Sequence, residues 1–177
     1  IVGMSGVLTD IHDRRIAETA LMDSRERYRS LIETLEGVVW EAEEGGGNTF
    51  VSSQAQGLLG YSVDEWLSDP QFWHGHIHPE DALSVFEIDR LAVQASHSYS
   101  YQLEYRFLTK SGDYIWIRDL CRVVVEANKP RRWMGLMIDI SPQKQIELEL
   151  AVSENRYALA TRGSNDGIWD CDLQSGL

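Results

Sequence analysis

The chain has 177 residues, of which 43% are hydrophobic, and its formal net charge is -12. This length and hydrophobic content allow one well-packed domain with attached segments but are short for two. The acidic surface would repel a phosphate backbone or an anionic membrane, so we expect no nucleic-acid partner.

Cysteine usage and hydropathy indicate the compartment. Cys121 and Cys171 lie far apart without a Cys-x-x-Cys pair, which fits a reducing environment. No stretch approaches the roughly 18 to 20 consecutive apolar residues that span a bilayer. The chain starts with neither an initiator Met nor a signal peptide. We therefore expect a cytoplasmic segment of a longer protein, which could carry a membrane anchor elsewhere.

The two ends of the chain repeat each other at a fixed offset without a gap. Gly6–Ile11 aligns with Gly135–Ile140, and Trp40 aligns with Trp169. Self-similarity of this kind is typical of a tandem array of domains. The repeat predicts the last strand of a preceding unit over 1–12, a linker helix over 13–36, a complete domain over 37–141, a second linker helix over 142–160 and the truncated start of a next unit over 161–177.

Both linker segments predict helices with an apolar stripe. The first runs from about Asp13 to Leu35, with apolar residues in alternating steps of three and four, which is a heptad pattern. Ser141 and Pro142 begin the second helix. Such stripes can pair two chains into a homodimer; the alternative is that each stripe packs on its own domain. The candidate dimer residues are Leu21, Tyr28, Leu31, Leu35, Ile146 and Leu150.

Between the linkers, the residues predict a hairpin, three helices and a three-stranded meander. The predicted strands are Val38–Glu43, Thr49–Ser52, Tyr99–Phe107, Tyr114–Val125 and Arg131–Ile140, and the predicted helices are Gln54–Leu59, Val63–Leu67 and Pro79–Gln94. The last strand is apolar on both faces, which indicates a central, covered position. This order is an α+β arrangement with helices on one side of an antiparallel sheet, and it leaves the strand order open.

Several short motifs occur in a definite order along the chain. They are Arg27–Leu31, Phe50–Ser52, Leu58–Ser62, His78–Asp81, Glu104–Arg106, Lys110–Asp113 with Trp116, and Gly135–Ser141. In this order they resemble the PAS family, specifically its variant with a C-terminal PAC motif, over nearly the whole chain. The resemblance implies a PAS fold: a five-stranded antiparallel sheet of order 2-1-5-4-3, whose concave face and short helices enclose a small pocket.

The resemblance also implies a function. PAS modules sense a ligand, redox state or light, or they dimerise, and they pass a change to an output domain through a linker helix. We therefore expect a sensory module whose signal leaves through Asp139, Ile140 and Ser141. Arg156–Trp169 is similar to PAS openings in proteins that synthesise or hydrolyse cyclic di-GMP, so we expect that output outside the chain; a histidine kinase output and a ligand-free dimerising spacer are the alternatives. The candidate pocket residues are Trp40, Leu58, Trp66, Phe72, Trp73, Phe86, Tyr105 and Ile117.

The sequence assigns no metal ligand, cofactor or catalytic residue. His74, His76 and His78 lack a cysteine or carboxylate set at metal spacing, so we expect structural roles for them. The histidines leave haem open, and the pocket aromatics leave noncovalent flavin open, as alternatives to a small ligand or no ligand. Neither a nucleophile with its base nor a carboxylate pair marks a catalytic site, so we do not expect the segment itself to be an enzyme.

Overall fold

The computed structural model describes residues 3–94 and 96–163, and the side chains of 14–94 and 96–159. The elements in chain order are α1 (Gly3–Glu33), β1 (Val38–Glu43), β2 (Asn48–Val51), α2 (Gln54–Leu59), α3 (Val63–Ser68), α4 (Phe72–His76), α5 (Pro79–Val93), β3 (Tyr99–Leu108), β4 (Tyr114–Val124), β5 (Arg132–Asp139) and α6 (Ser141–Gly163). The chain divides into two compact units after Asp139, the first holding α1 to β5 and the second α6.

The five strands form one antiparallel sheet in the order β2-β1-β5-β4-β3. This order confirms both the predicted α+β class and the strand order that the resemblance implied. Strand β5 lies in the middle between β1 and β4, where a strand that is apolar on both faces belongs. The chain passes from β2 to β3 through α2, α3, α4 and α5.

The helices cover one face of the sheet, which we call the inner face. On β3, Leu103, Tyr105 and Phe107 are buried, whereas the alternating Gln102 is exposed and Glu104 is half-buried. This period-two pattern is what a strand with one face on a core requires. Buried residues from the helices join the strands in one core: Ala55, Leu59, Trp66, Phe72, Val85 and Ala92.

Local signals in the sequence fix where the helices begin and end. The Ser62 hydroxyl accepts a hydrogen bond from the Glu65 N–H, and the Glu65 carboxylate accepts one from the Ser62 N–H, which is a capping box at the start of α3. At α5, His78 Nδ1 accepts from the Glu80 N–H, and Pro79 occupies the first helical position. Gly60 ends α2 with φ of 84°, a conformation that glycine tolerates best.

The N-terminal region differs from its prediction. Helix α1 includes the described part of 1–12, so the predicted strand there is wrong. A strand needs a neighbour for its N–H and C=O groups, and the five strands in the described part of the chain pair among themselves. Leu35 also lies beyond α1, which ends at Glu33, and the Thr34 hydroxyl donates to the Leu31 carbonyl at that end.

Helix α6 begins at Ser141, as the Ser-Pro pair predicted. It extends to Gly163, so the first residues of the predicted next unit are helical, and 164–177 lie outside the described residues. The assignment of 1–12 and 161–177 to neighbouring units stays a prediction. No helix within 3–94 and 96–163 has a stretch long and apolar enough to cross a membrane.

Candidate functional site

A cavity of about 200 Å³ lies between the inner face of the sheet, helices α4 and α5, and the turn that joins β1 to β2. Its main lining residues are Trp40, Ala42, Glu43, Glu44, Asn48, Pro70, Trp73, His74, Asp89, Val93, Tyr101, Leu103, Asp119, Cys121, Trp133 and Met137. The turn closes against Pro70, because a Cβ on Gly47 would lie 2.5 Å from the Pro70 Cα. Glycine at this position therefore lets the turn form one wall of the cavity.

The register of β1 against β5 places one indole deep in this site. Trp40 pairs with Gly135, and a Cβ at Gly135 would lie 2.6 Å from the Trp40 ring. The missing side chain lets the indole lie flat over β5 and reach the next strand. Its Nε1 donates a hydrogen bond of 2.9 Å to Oδ1 of Asp119 on β4.

Asp119 is the centre of a buried polar network. Its carboxylate is fully buried, and Oδ2 accepts a hydrogen bond of 3.0 Å from the Tyr105 hydroxyl. The same hydroxyl accepts a hydrogen bond of 2.9 Å from Trp73 Nε1 on α4. The network thus joins β1, β4, β3 and α4, and three of its members, Trp40, Trp73 and Asp119, also line the cavity. A molecule that displaced either indole would disturb the whole network.

Burial controls the protonation of the polar wall. It raises the pKa of Asp119 to about 6, although hydrogen bonds from Trp40, Tyr105 and Cys121 oppose the shift. Burial also raises the pKa of the Tyr105 and Tyr101 hydroxyls and of the Cys121 thiol, and the Asp119 charge adds to each. Cys121 is therefore a neutral thiol in the cavity wall rather than a nucleophile.

Two polar atoms in the wall are buried without a hydrogen-bond partner among the described residues. They are Trp133 Nε1 and His74 Nδ1. Trp133 is only 7% exposed, so bulk water satisfies its donor poorly. An unmatched donor in a cavity wall is a place where a bound molecule can gain a hydrogen bond.

The predicted pocket residues separate into different places. Trp40 and Trp73 line the cavity, and Tyr105 lies behind them, hydrogen-bonded to the lining residues Trp73 and Asp119. Trp66 and Phe72 instead belong to a solid group with Tyr61, His76 and Phe107, which we call the packed cluster. Whether any of them binds a ligand stays a prediction.

The remaining predicted pocket residues lie beside the cavity or away from it. Phe86 packs against Trp73 and His74, and Ile117 is a fully buried core residue. Leu58 lines a separate recess with Leu35, Gln54 and Asp139. Of the eight predicted pocket residues, only Trp40 and Trp73 are therefore among the lining residues of the cavity.

Sequence reasoning missed Asp119, Tyr101 and Trp133. A signal for Asp119 was present, because it falls at an inward position between Ile117 and Cys121 in a strand predicted over its full length. An acidic residue on the inner face must have partners or a function.

The predicted relay residues lie along the chain where β5 ends and α6 begins. Asp139 is the last residue of β5 and pairs with Ile117, Ile140 follows it, and Ser141 is the first residue of α6. Asp139 also lines the recess that holds Gln54, whose amide Nε2 donates to the Ile32 carbonyl of α1. Their role as a signal exit stays a prediction.

The predicted dimer residues are exposed along the two terminal helices. Leu21, Tyr28 and Leu31 are 54%, 54% and 62% exposed on α1, and Leu35 is also exposed after its end. Ile146 and Leu150 are 67% and 59% exposed on α6. Each helix therefore carries apolar side chains that its own unit leaves in solvent.

The cavity does not fit the two larger cofactors that the sequence left open. A cavity of about 150 Å³ holds a single benzene ring, so about 200 Å³ is too small for a three-ring flavin or a haem macrocycle. No group of three or more His, Cys, Asp or Glu residues in the described part of the chain could hold a metal ion.

The fold and the site agree with the sequence comparison. The family described as PAS fold matches residues 48–137, from β2 into β5. The chain therefore belongs to the PAS family, as its motifs implied. It is a PAS sensory domain with a helix at each end.

Curated relatives extend over most of this chain. The two-component sensor PprA of Pseudomonas aeruginosa is 27% identical over 170 residues, which are 92% of this chain and 18% of that protein. The peroxide stress-activated histidine kinase mak1 of Schizosaccharomyces pombe is 24% identical over 163 residues, 84% of this chain and 10% of that protein. The chain thus spans less than a fifth of these relatives.

Solved structures of similar fold include two bacterial sensor domains. The N-terminal domain of a diguanylate cyclase with PAS/PAC sensor from Marinobacter aquaeolei has a TM-score of 0.55 and 25% identity, covering 61% of this chain and 98% of that one. A sensory box histidine kinase/response regulator from Burkholderia thailandensis has a TM-score of 0.59 and 24% identity, covering 75% and 98%. Both support the PAS fold.

Proposed function

We propose that this PAS domain is a sensory input module that binds a small molecule in its cavity and passes the bound state to an output domain elsewhere in a longer protein. The observation that carries the proposal is the cavity itself, together with the unmatched donor of Trp133 in its wall. Protein interiors are close-packed, so a void lowers the free energy of unfolding. A ligand that fills the void and bonds to its polar lining restores the missing contacts. We propose no catalysis by these residues.

The hydrogen-bond network supplies a route from the cavity into the sheet. An occupant that moved Trp40 or Trp73 would act on Asp119, which pairs with Met137 on β5. Strand β5 ends at Asp139, where α6 follows. We propose that the signal leaves through Asp139, Ile140 and Ser141.

A cavity-filling variant tests the input. Ala42→Leu places three further carbons in the cavity, and it should abolish the thermal stabilisation that a ligand from a small-molecule panel gives the wild-type chain. Glu41→Leu is the matched control, because residue 41 alternates to the other face of β1. A panel in which no compound stabilises the wild type, or in which both variants respond like it, would contradict ligand sensing.

The exposed stripes of α1 and α6 support a homodimer as the state that is switched. Heptad stripes pair in parallel, and a change of register or rotation along them is a discrete signal. Leu31→Asp on α1 should shift the chain from dimer to monomer in analytical ultracentrifugation. Leu83→Asp is the control, because Leu83 is 78% exposed on α5, outside the stripe. Equal effects of both substitutions would contradict pairing through α1.

Two output domains are candidates. Cyclic di-GMP synthesis or hydrolysis is supported by the similarity to the sensor of a diguanylate cyclase from Marinobacter aquaeolei. A histidine kinase is supported by the two-component sensor PprA, which matches 92% of this chain. Assays of the longer cytoplasmic protein that we propose, with GTP and with cyclic di-GMP as substrates for the first output and ATP autophosphorylation for the second, separate the two.

A further inference from the structure

The walls of the cavity combine aromatic faces with carboxylates. Three indoles and a phenol line it, from Trp40, Trp73, Trp133 and Tyr101. The face of an aromatic ring carries a negative electrostatic quadrupole and attracts cations, most strongly in tryptophan. Rings of this kind in one small cavity form a surface that prefers a positive charge to a neutral group.

The charged residues of the wall have the same preference. Glu43, Glu44, Asp89 and Asp119 line the cavity, and the described lining residues include no lysine or arginine. Glu44 is paired with Arg131 at 2.8 Å, and burial raises the pKa of Asp89, which the nearby His74 partly opposes. Asp119 has no cationic partner among the described residues, and its two oxygens accept from Trp40 and Tyr105. The Asp119 carboxylate also accepts from the Cys121 thiol, and since a carboxylate has about four acceptor sites, one remains for a further donor.

A third observation is independent of the acidic side chains. Trp133 lines the cavity, and its Nε1, which can only donate, is buried without a partner among the described residues. A ligand that satisfies it needs an oxygen acceptor. Cavity size adds a limit, since about 200 Å³ accommodates a molecule of roughly one ring or a short branched chain.

Taking these features together, we propose that the cavity binds a small alkylammonium cation that also carries an oxygen acceptor, as an amino alcohol does. The ammonium group lies among the indole faces near Asp119 and Asp89, and the oxygen accepts from Trp133 Nε1. The proposal rests on the proposed function, because it names the ligand class of the same sensory cavity.

Choline, ethanolamine and 3,3-dimethylbutan-1-ol are the probes for this proposal. The last is a neutral molecule of nearly the same shape as choline, so it tests charge alone. Calorimetric titration of the chain at pH 7.5 should show choline or ethanolamine binding at least about tenfold more tightly than the neutral alcohol. The Trp133 indole N–H resonance should shift in the same titration.

Matched variants locate the binding. Asp89→Asn and Asp119→Asn should each weaken binding of the ammonium probe, whereas Glu87→Gln, on the exposed side of α5, should leave it unchanged. Asp89→Asn keeps the test valid if Asp119→Asn folds poorly, because Asp89 is only partly buried. Trp133→Phe should reduce the affinity for choline by removing the donor.

Different failures have different meanings. If the neutral alcohol binds as tightly as choline, or if another uncharged or anionic compound from the panel occupies the cavity while both ammonium probes fail, the cation proposal is wrong and ligand sensing stands. If no compound binds and Ala42→Leu changes nothing, the proposed function fails as well. An ammonium affinity that Glu87→Gln reduces as much as Asp89→Asn would also overturn the proposal.

Discussion

The packed cluster and the cavity lie at opposite ends of the same two strands. The packed cluster lies where β3 ends and β4 begins, around Phe107, and the cavity lies where β3 begins and β4 ends, around Tyr101 and Cys121. Both ends are rich in aromatic rings. In the packed cluster the rings fill the space against one another, with Trp66 stacked on Phe107 at 5.6 Å between centroids. In the cavity, rings and polar groups surround a void.

The difference teaches how one sheet can serve stability and binding together. A void removes van der Waals contacts and destabilises the fold, so a fold that keeps one needs compensation elsewhere. The packed cluster supplies dense apolar burial, whereas the polar network of Asp119 links the strands and the helix that form the walls of the cavity. Substitutions at the two ends should therefore have different effects.

Trp66→Ala is expected to have the largest effect on stability. Trp66 is 1% exposed and contacts both Phe72 and Phe107, so removing the indole should lower the free energy of unfolding by about 3–5 kcal/mol. Trp73→Ala is the comparison at the cavity, and it should cost clearly less, because Trp73 is partly exposed and already borders a void. Urea unfolding followed by circular dichroism measures both. Equal costs would mean that the two ends are packed alike.

Asp119→Asn should change how stability depends on pH. The pKa of Asp119 rises from 3.8 to about 6 in the folded state, so between these values the folded state binds the proton more tightly than the unfolded state. The stability contribution that protonated Asp119 makes is complete below pH 4 and is lost as the pH rises through about 6. A pKa difference of about two pH units corresponds to ~3 kcal/mol.

Urea unfolding from pH 4 to pH 7.5 checks this prediction. Across that range the free energy of unfolding of the wild type should fall by up to ~3 kcal/mol more than that of Asp119→Asn. Burial also raises the pKa of Asp89, but this group contributes equally in both proteins. Asp64→Asn, at an exposed site outside the cavity, is the matched control. Parallel curves for wild type and Asp119→Asn would show that the carboxylate is not held in a costly environment.

The sequence predicted most of the sheet because its strands carry strong alternation and clear turns. The predicted β1 has the observed bounds, β3 and β4 differ by one residue at one end, and β2 and β5 differ by one residue at both ends. The repeated motif shows the limit of local patterns. Gly135–Ile140 lies largely in β5, whereas its counterpart Gly6–Ile11 lies in α1. The pattern permits a strand, but partner strands decide whether one forms.

The candidate site was much harder to predict. Trp40 and Trp66 look equivalent in the sequence, and only the register of Trp40 against Gly135 places one in a cavity wall and the other in the packed cluster. Helix α4, which carries Trp73 and His74, was not predicted, because five residues are too few to show a helical period. Cavity position depends on such tertiary details.

Gly135→Ala should close the gap in which the Trp40 indole lies. An alanine Cβ would come within 2.6 Å of the ring, so the indole must move away from Asp119, at a cost of about 1–3 kcal/mol. The Trp40 indole N–H should exchange with solvent faster as its bond to Asp119 is lost. Gly57→Ala on α2 is the control, where a Cβ meets nothing within 4 Å and should stabilise the helix by about 0.5–1 kcal/mol. A neutral effect at Gly135 would show that Trp40 repacks freely.

Ser62→Ala should have the smallest effect, and it acts through the helix that carries Trp66 of the packed cluster. Helix α3 has six residues and carries Trp66, and its start depends on the Ser62 hydroxyl that accepts from the Glu65 N–H at 3.2 Å. Losing this cap should lower the free energy of unfolding by about 1 kcal/mol. Ser53→Ala is a close control, because Ser53 precedes α2 and makes no capping bond with its side chain.

Ligand affinity separates the two ends of the sheet in the same experiment. Ser62 is not a lining residue of the cavity, and α3 reaches the wall through the hydrogen bond from Trp66 to Asn48, so Ser62→Ala should weaken the fold and change the affinity for a cavity ligand much less. If Ser62→Ala lowers that affinity as strongly as it lowers stability, the packed cluster and the cavity form one cooperative unit, in which the packing of the cluster determines the shape of the cavity.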